Sequence, residues 1–241
     1  SRIIMDEAIP FIRAAAKEDR PFLAVIWFHA PHIPVIGGPE YLRMYEAYDP
    51  ESRHYYACIT ALDDQMGRLR DELRELGVAD NTMLWFCSDN GPTKSGRRMQ
   101  GAPETGKPFG SKGQLRGYKG SLYEGGVRVP GLLEWPARVE AGRTTDVAAV
   151  TSDYLPTILE VLGIEYPDDR PLDGVSLLPL IDGRMNERAK PIGFQSRDQA
   201  AWTENRFKLV SNNSGQTLEL YDLIEDPMES NDLADAHPET V

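Results

Sequence analysis

The apolar run Thr82-Met83-Leu84-Trp85-Phe86-Cys87 leads straight into Ser88-Asp89-Asn90-Gly91, which sets a carboxylate, an amide and a glycine in succession. Such a run reads as a strand, and in open α/β sheets ligands bind in the crevice beyond the carboxyl ends of the strands. Asp89 and Asn90 both offer oxygen, which suits a hard divalent cation such as Ca²⁺ or Mg²⁺. The same Asp-Asn-Gly triplet also suits a simple turn. A second apolar run, Phe22 to Phe28, ends in His29-Ala30-Pro31-His32-Ile33-Pro34, so two histidines stand in a proline-fixed loop where they can meet a ligand. The third chemical feature is cationic: Lys94, Arg97, Arg98, Lys107, Lys112, Arg116 and Lys119 crowd the stretch between Gly91 and Gly126. The whole chain has 38 acidic and 26 basic residues, a formal charge of −12, so an anion is repelled at long range and its site must gather positive charge locally. This stretch is that local source, or else a surface loop whose cations keep it solvated.

The elements that must position these groups follow from periodicity. Ile4, Ala8, Phe11, Ile12, Ala15 and Ala16 recur at helical spacing before Pro21. The unbroken run Phe22–Phe28 then predicts a central strand covered on both faces. From Pro50 to about Leu76, Tyr55, Ile59, Leu62, Met66, Leu69, Leu73 and Leu76 repeat as in an amphipathic helix, with Gly77 at its C-terminal cap. A strand, a helix and a second strand imply a right-handed crossover with parallel strands, so His29, His32, Asp89 and Asn90 are expected to converge. A strand is expected at Val127-Arg128-Val129-Pro130 and again at Leu132–Trp135, then a helix from Tyr154 to Gly163 and a loop with a short helix over 173–180. Four short strands, Ile192–Gln195, Ala200–Thr203, Phe207–Val210 and Leu218–Tyr221, predict an antiparallel sheet. A subdomain boundary is placed near residue 185, and the acidic tail from Asp226 is expected to fray apart from Leu233.

Length and composition bound the rest. At 241 residues and 41% hydrophobic content the chain can bury a sizeable core. The acidic balance argues against a nucleic-acid partner. Cys58 and Cys87, one in the long helix and one in a strand, do not form a disulfide framework. No apolar run approaches the roughly eighteen residues of a membrane span, and the first residues do not read as a signal peptide. The start, Ser1-Arg2-Ile3, is expected of a piece of a longer protein.

Several segments together resemble the sulfatase family of the alkaline-phosphatase superfamily. They are Ala30-Pro31-His32-Ile33-Pro34, the helix around Ala61-Leu62-Asp63-Asp64-Gln65-Met66-Gly67, Ser88-Asp89-Asn90-Gly91, and Gly117-Tyr118-Lys119-Gly120 with Tyr123-Glu124-Gly125-Gly126-Val127-Arg128-Val129-Pro130. Ser152-Asp153-Tyr154-Leu155-Pro156-Thr157, Leu172-Asp173-Gly174-Val175-Ser176-Leu177 and the closing Leu220-Tyr221-Asp222-Leu223 through Glu229 look like the family in the same order. The resemblance implies an α/β fold: a partial alkaline-phosphatase-like sheet with flanking helices over 1–185, then a small antiparallel sheet subdomain over 186–241.

It also implies roles. Asp89 and Asn90 would help hold a divalent cation, usually calcium, that polarises a sulfate ester; Lys119 would contact the sulfate; His32 would hydrogen-bond it or protonate the leaving oxygen. Tyr123, Glu124 and Arg128 would hold the Lys119 loop, Lys107 and Lys112 would line an entrance or stay solvated, and Asp63 and Asp64 would face solvent or pack the helix. The family works through a formylglycine made in a Cys/Ser-x-Pro-x-Arg motif, and no such motif occurs in these residues. The paired aspartates and the Lys-x-His segment that accompany it are also missing. The chain is therefore expected to be the C-terminal portion of a sulfatase, inactive alone, that needs an N-terminal segment of the catalytic domain and acts with it on a carbohydrate or small-molecule sulfate ester. A bare sheet edge makes self-association an expectation as well. Two other readings stay open: a phosphate or phosphonate ester hydrolase of the same superfamily, and a non-catalytic module that binds a sulfated ligand. Secreted or periplasmic location is usual for the family.

Overall fold

The computed structural model describes residues 1–94 and 110–241, so Arg97, Arg98 and Lys107 lie outside the described residues. These divide into two compact units: Ser1–Leu84 with Leu133–Ala137 and the described part of Thr93–Ser111, and Trp85–Pro92 with Lys112–Leu132 and Arg138–Val241.

In the first unit, helix α1 (Arg2–Lys17) buries Met5, Ile9, Ile12 and Ala15 on one stripe. A single turn, α2 (Pro39–Leu42), precedes the long helix α3 (Pro50–Glu75). Asp49 caps α3 by accepting from the Ser52 backbone N–H at 3.2 Å, and Pro50 occupies the first turn, where its missing N–H costs nothing. Leu69 and Leu73 close on Met5, Ile9 and Ile12 to make the core of this unit. Gly77 ends the helix region with φ +70°, a conformation that favours glycine.

The run 22–28 differs from its expectation as a covered central strand. Its burial alternates strictly, with Phe22, Ile26 and Phe28 against the core while Leu23, Val25 and Trp27 face out. That period of two marks an extended chain. It joins no sheet, so the crossover and parallel pairing expected from the strand-helix-strand order are not formed. Strand β1 (Leu84–Cys87) pairs instead with β2 (Gly131–Glu134), and the division between the units runs through both strands.

In the second unit, the residues expected to form a strand at 127–130 are preceded by a helical turn, α4 (Glu124–Val127), and the strand starts only at Gly131. Helix α5 (Tyr154–Leu162) ends on Gly163 at φ +63°, and a turn, α6 (Leu178–Ile181), follows. Strands β3 (Ile192–Ser196), β4 (Gln199–Glu204), β5 (Phe207–Ser211) and β6 (Glu219–Asp222) form an antiparallel meander in chain order. Its register places Ala201 beside Val210 and Lys208 beside Tyr221. Leu122, Tyr123, Ala201, Val210 and Tyr221 make its core.

The tail does not fray as expected. The Leu233 N–H donates to the Leu220 carbonyl at 2.8 Å and Asp232 accepts from the Leu220 N–H at 3.0 Å, while Asp226 accepts from Ser230 and Asn231. These bonds satisfy the free edge of β6, and Glu229 between them is fully buried.

Asp182 receives Arg138 at 2.7 Å and Arg184 at 2.8 Å, which pull its carboxyl down to about 2. A depressed carboxylate adds stability that is present above its unfolded pKa near 4 and is lost as the pH falls through about 2. Acid unfolding followed by circular dichroism is therefore expected to separate Asp182→Asn from the parent above pH 4 and to bring the two together below about pH 2.

Candidate active site

Backbone hydrogen bonds hold the end of β1 against the Lys119 loop. The Gly91 N–H donates to the Gly126 carbonyl at 2.9 Å, and the Lys119 N–H donates to the Pro92 carbonyl at 2.8 Å. On the far side the Gly125 N–H donates to the Arg116 carbonyl at 2.6 Å. Gly117 and Gly120, at φ +85° and +89°, give the loop the left-handed bends that bracket Tyr118 and Lys119. The approach is close enough to demand glycine: a Cβ on Gly91 would lie 2.0 Å from the Gly125 carbonyl oxygen, and one on Gly126 2.1 Å from that of Ser121. Backbone atoms cannot swing aside as a side chain can. Gly91→Ala and Gly126→Ala are each expected to lose about 1–3 kcal/mol or more in urea unfolding, through forced backbone shifts.

Beneath this loop lies an ion cluster. Lys208, with no exposed surface, donates to Glu124 at 2.8 Å and pairs with Glu229 at 2.9 Å. Glu229 also accepts from the Glu124 N–H at 2.6 Å. Burial pushes the Glu229 carboxyl up, and Lys208 pulls against that shift. Beside it the Arg116 guanidinium stacks 3.8 Å from the Tyr123 ring centroid and donates to the Tyr221 hydroxyl at 2.5 Å. The Tyr123 hydroxyl donates to Glu219 at 2.6 Å, and burial with this carboxylate moves its pKa up to about 12, so it remains a neutral donor.

Two cations of the loop are thus engaged in structure: Arg116 as described, and Lys112 by donating to the Leu115 carbonyl and lying over Tyr118. Lys119 is exposed and has no side-chain partner among the described residues. Asp89 is likewise exposed and unpartnered among them, while Asn90 turns its Nδ2 to the Gly91 carbonyl at 3.0 Å, leaving Oδ1 uncommitted. Trp85 in β1 packs its ring edge-on to Tyr154 at 4.3 Å, fixing the strand that carries them.

His32 belongs to the other unit. Its Nδ1 lies 2.9 Å from the Ile33 carbonyl, which can only accept, so Nδ1 carries the hydrogen and Nε2 is left for a ligand. The His29 ring sits 5.3 Å away, and the loop contains two cis X-Pro bonds, Ala30-Pro31 and Ile33-Pro34. Asp63 and Asp64 are exposed on α3, and Asp64 accepts from the Tyr41 hydroxyl.

One carboxylate and one amide oxygen fit a hard cation but fall short of the six to eight oxygens Ca²⁺ takes. No group of three His, Cys, Asp or Glu side chains able to hold a metal occurs among the described residues. The donor set therefore suits part of an oxygen-rich site. Sequence reasoning missed the support beneath it: Lys208 and Glu219 carry no motif, nor does Asn212, whose Nδ2 donates to the Tyr123 hydroxyl at 2.8 Å, and they are found only once the sheet is folded.

Residues 1–164 match the sulfatase family model, and residues 117–240 match that of the N-sulphoglucosamine sulphohydrolase C-terminal region. The fold of both units, a mixed α/β arrangement with a four-stranded antiparallel sheet, is that of solved sulfatases, and the chain belongs to the sulfatase family. Human N-acetylgalactosamine-6-sulfatase is 34% identical over 199 residues, covering 82% of this chain and 35% of that protein. Mouse steryl-sulfatase is 34% identical over 185 residues, covering 76% of this chain and 28% of that protein. The structure of Ps i-CgsB in complex with k-i-k-neocarrahexaose matches with a TM-score of 0.84 at 27% identity, over 99% of this chain and 51% of that one. The chain spans about a third of the length of these curated relatives.

Proposed function

We propose that this chain supplies part of the active site of a sulfuric ester hydrolase, and that a polypeptide outside these 241 residues supplies the nucleophile. The observation that carries the reading is the backbone clasp between the Asp89-Asn90 strand end and the Lys119 loop, in a chain of the sulfatase family. In this reading Asp89 and Asn90 contribute two oxygens to a divalent cation, calcium by preference for an all-oxygen set. When bound, the cation polarises the sulfate ester as a Lewis acid. Lys119 places its ammonium on a sulfate oxygen, where it neutralises charge on the transferring group. For His32 the family resemblance implies hydrogen-bonding to the sulfate or protonation of the leaving oxygen, and its Nε2 is the nitrogen left for that role. The clasp holds Lys119 and Asp89 at a fixed spacing before substrate arrives.

A sulfated carbohydrate is the first candidate substrate, a reading supported by the likeness to N-acetylgalactosamine-6-sulfatase and to Ps i-CgsB in complex with k-i-k-neocarrahexaose. The four-stranded sheet over 186–241 serves as a small subdomain bracing the Lys119 loop through Lys208. The residues lack a Cys/Ser-x-Pro-x-Arg motif, so the chain on its own is expected to be inactive.

The test is mutation within the natural protein. Lys119→Ala and Asp89→Ala are each expected to lower kcat/KM by about 10²–10³. Because both side chains are exposed, the unfolding midpoint should stay put. Unchanged kcat/KM in both variants would sink the assignment.

A further inference from the structure

We propose that Glu219 is a positioning residue for Lys119, closing the base of its loop by tying Arg116 and Tyr123 to one carboxylate oxygen. The inference rests on the sulfate-binding role proposed for Lys119. Arg116 and Tyr123 flank the segment 117–122, with Lys119 inside it. Their side chains turn back on each other, the Arg116 guanidinium lying over the Tyr123 ring. Glu219 Oε2 accepts from the Tyr123 hydroxyl at 2.6 Å and from Arg116 at 3.3 Å, and it accepts from the Tyr221 hydroxyl as well. Glu219 and Tyr221 stand two apart on β6 and so share one face of the sheet, as does Lys208 opposite Tyr221 on β5. That face meets the loop. Burial first, and then the Glu219 carboxylate, raise both phenols above their ordinary value, so both hydroxyls keep their protons to donate.

The loop needs such a tie because Gly117 and Gly120 lend it little stiffness of its own. On the backbone side its base is closed by the Gly125 N–H on the Arg116 carbonyl. Glu219 closes it on the side-chain side, from a strand 103 residues beyond Arg116 and 96 beyond Tyr123. Among the described residues Glu219 makes no bond to Lys119, Asp89 or Asn90. As an anion it would repel a sulfate rather than hold one. Its effect on turnover therefore runs through the loop, where a displacement of about 1 Å costs as much as 10²-fold in rate.

The experiment is a kinetic cycle in the natural protein with a chromogenic aryl sulfate. Glu219→Ala is expected to lower kcat/KM about 10–100-fold, the usual cost of losing an outer partner that orients a binding group. Glu219→Gln should recover most of that loss, because an amide oxygen can replace the one oxygen used. Tyr123→Phe removes a single hydroxyl and keeps the ring under Arg116; it should shift kcat/KM the same way, and it carries the cycle if Glu219→Ala does not fold. In a Lys119→Ala background each change should cost less than about twofold, since a residue acting through Lys119 has nothing left to place. The same fold-loss in both backgrounds marks a merely structural role and would overturn the proposal, as would a Gln variant as impaired as the Ala one. If Lys119→Ala is impaired and Glu219→Ala is not, this inference alone fails. If Lys119→Ala leaves kcat/KM unchanged, the catalytic reading fails and this inference with it.

Discussion

Lys208→Met is expected to destabilise the second unit by about 3–5 kcal/mol, the cost of removing one partner from a buried ion pair. Methionine keeps the length of the side chain, so the loss is electrostatic rather than a cavity. Glu124 and Glu229 are left buried and facing each other, and one must take a proton for the other to remain charged. With Lys208 no longer pulling against burial, the Glu229 carboxyl is held further above its unfolded value, so the folded state binds more protons and the deficit shrinks as the pH falls. Urea unfolding at pH 7 and pH 4.5 measures both effects. Adding Glu124→Gln and Glu229→Gln to Lys208→Met should recover much of the loss, since an uncharged set of similar volume has no unpaired charge. A Lys208→Met variant within 1 kcal/mol of the parent would mean that the cluster does not hold the Lys119 loop.

Asp153→Ala should cost a similar amount, about 3–5 kcal/mol, for a related reason. Asp153 is fully buried and takes both guanidinium nitrogens of Arg188, at 2.6 and 2.7 Å. It also accepts from the Val150 and Val175 N–H groups, both at 2.8 Å. One carboxylate thus ties the start of α5 to the loop before α6 and to the approach to β3. Gly174 completes the junction, for a Cβ there would meet the Ser152 carbonyl at 2.1 Å. The double variant Asp153→Ala/Arg188→Leu should be less unstable than the sum of the single ones, and a denaturation cycle reads that coupling. Additive losses would deny the pair its role.

What the sequence makes legible is what short-range pattern dictates. The 26 residues of α3 and the four strands β3–β6 repeat their apolar positions at periods that belong to one structure each. The run 22–28 was legible as extended chain but not in its pairing, because a continuous apolar run states only that both faces seek cover. Glu124-Gly125-Gly126-Val127 turned into a helical turn because Gly126 tucks under the Ser121 carbonyl, a contact that no local propensity encodes. The tail escaped for the same reason: Glu229 is buried by Lys208, which lies on β5 and pairs also with Glu124, 84 residues away from it. For the candidate site, the residue types Asp89, Asn90 and Lys119 stand out in the sequence. The clasp that unites them does not, since it is made by backbone groups.

The most direct test of the central claim is turnover of a chromogenic aryl sulfate with added calcium, by the 241-residue chain and by the natural protein, whose intact mass and N-terminal sequence are determined alongside. No turnover is expected from the 241 residues alone, and turnover is expected from a longer polypeptide that carries formylglycine, lost on Lys119→Ala. Turnover by the isolated chain, or full turnover in a Lys119→Ala protein, would contradict that claim.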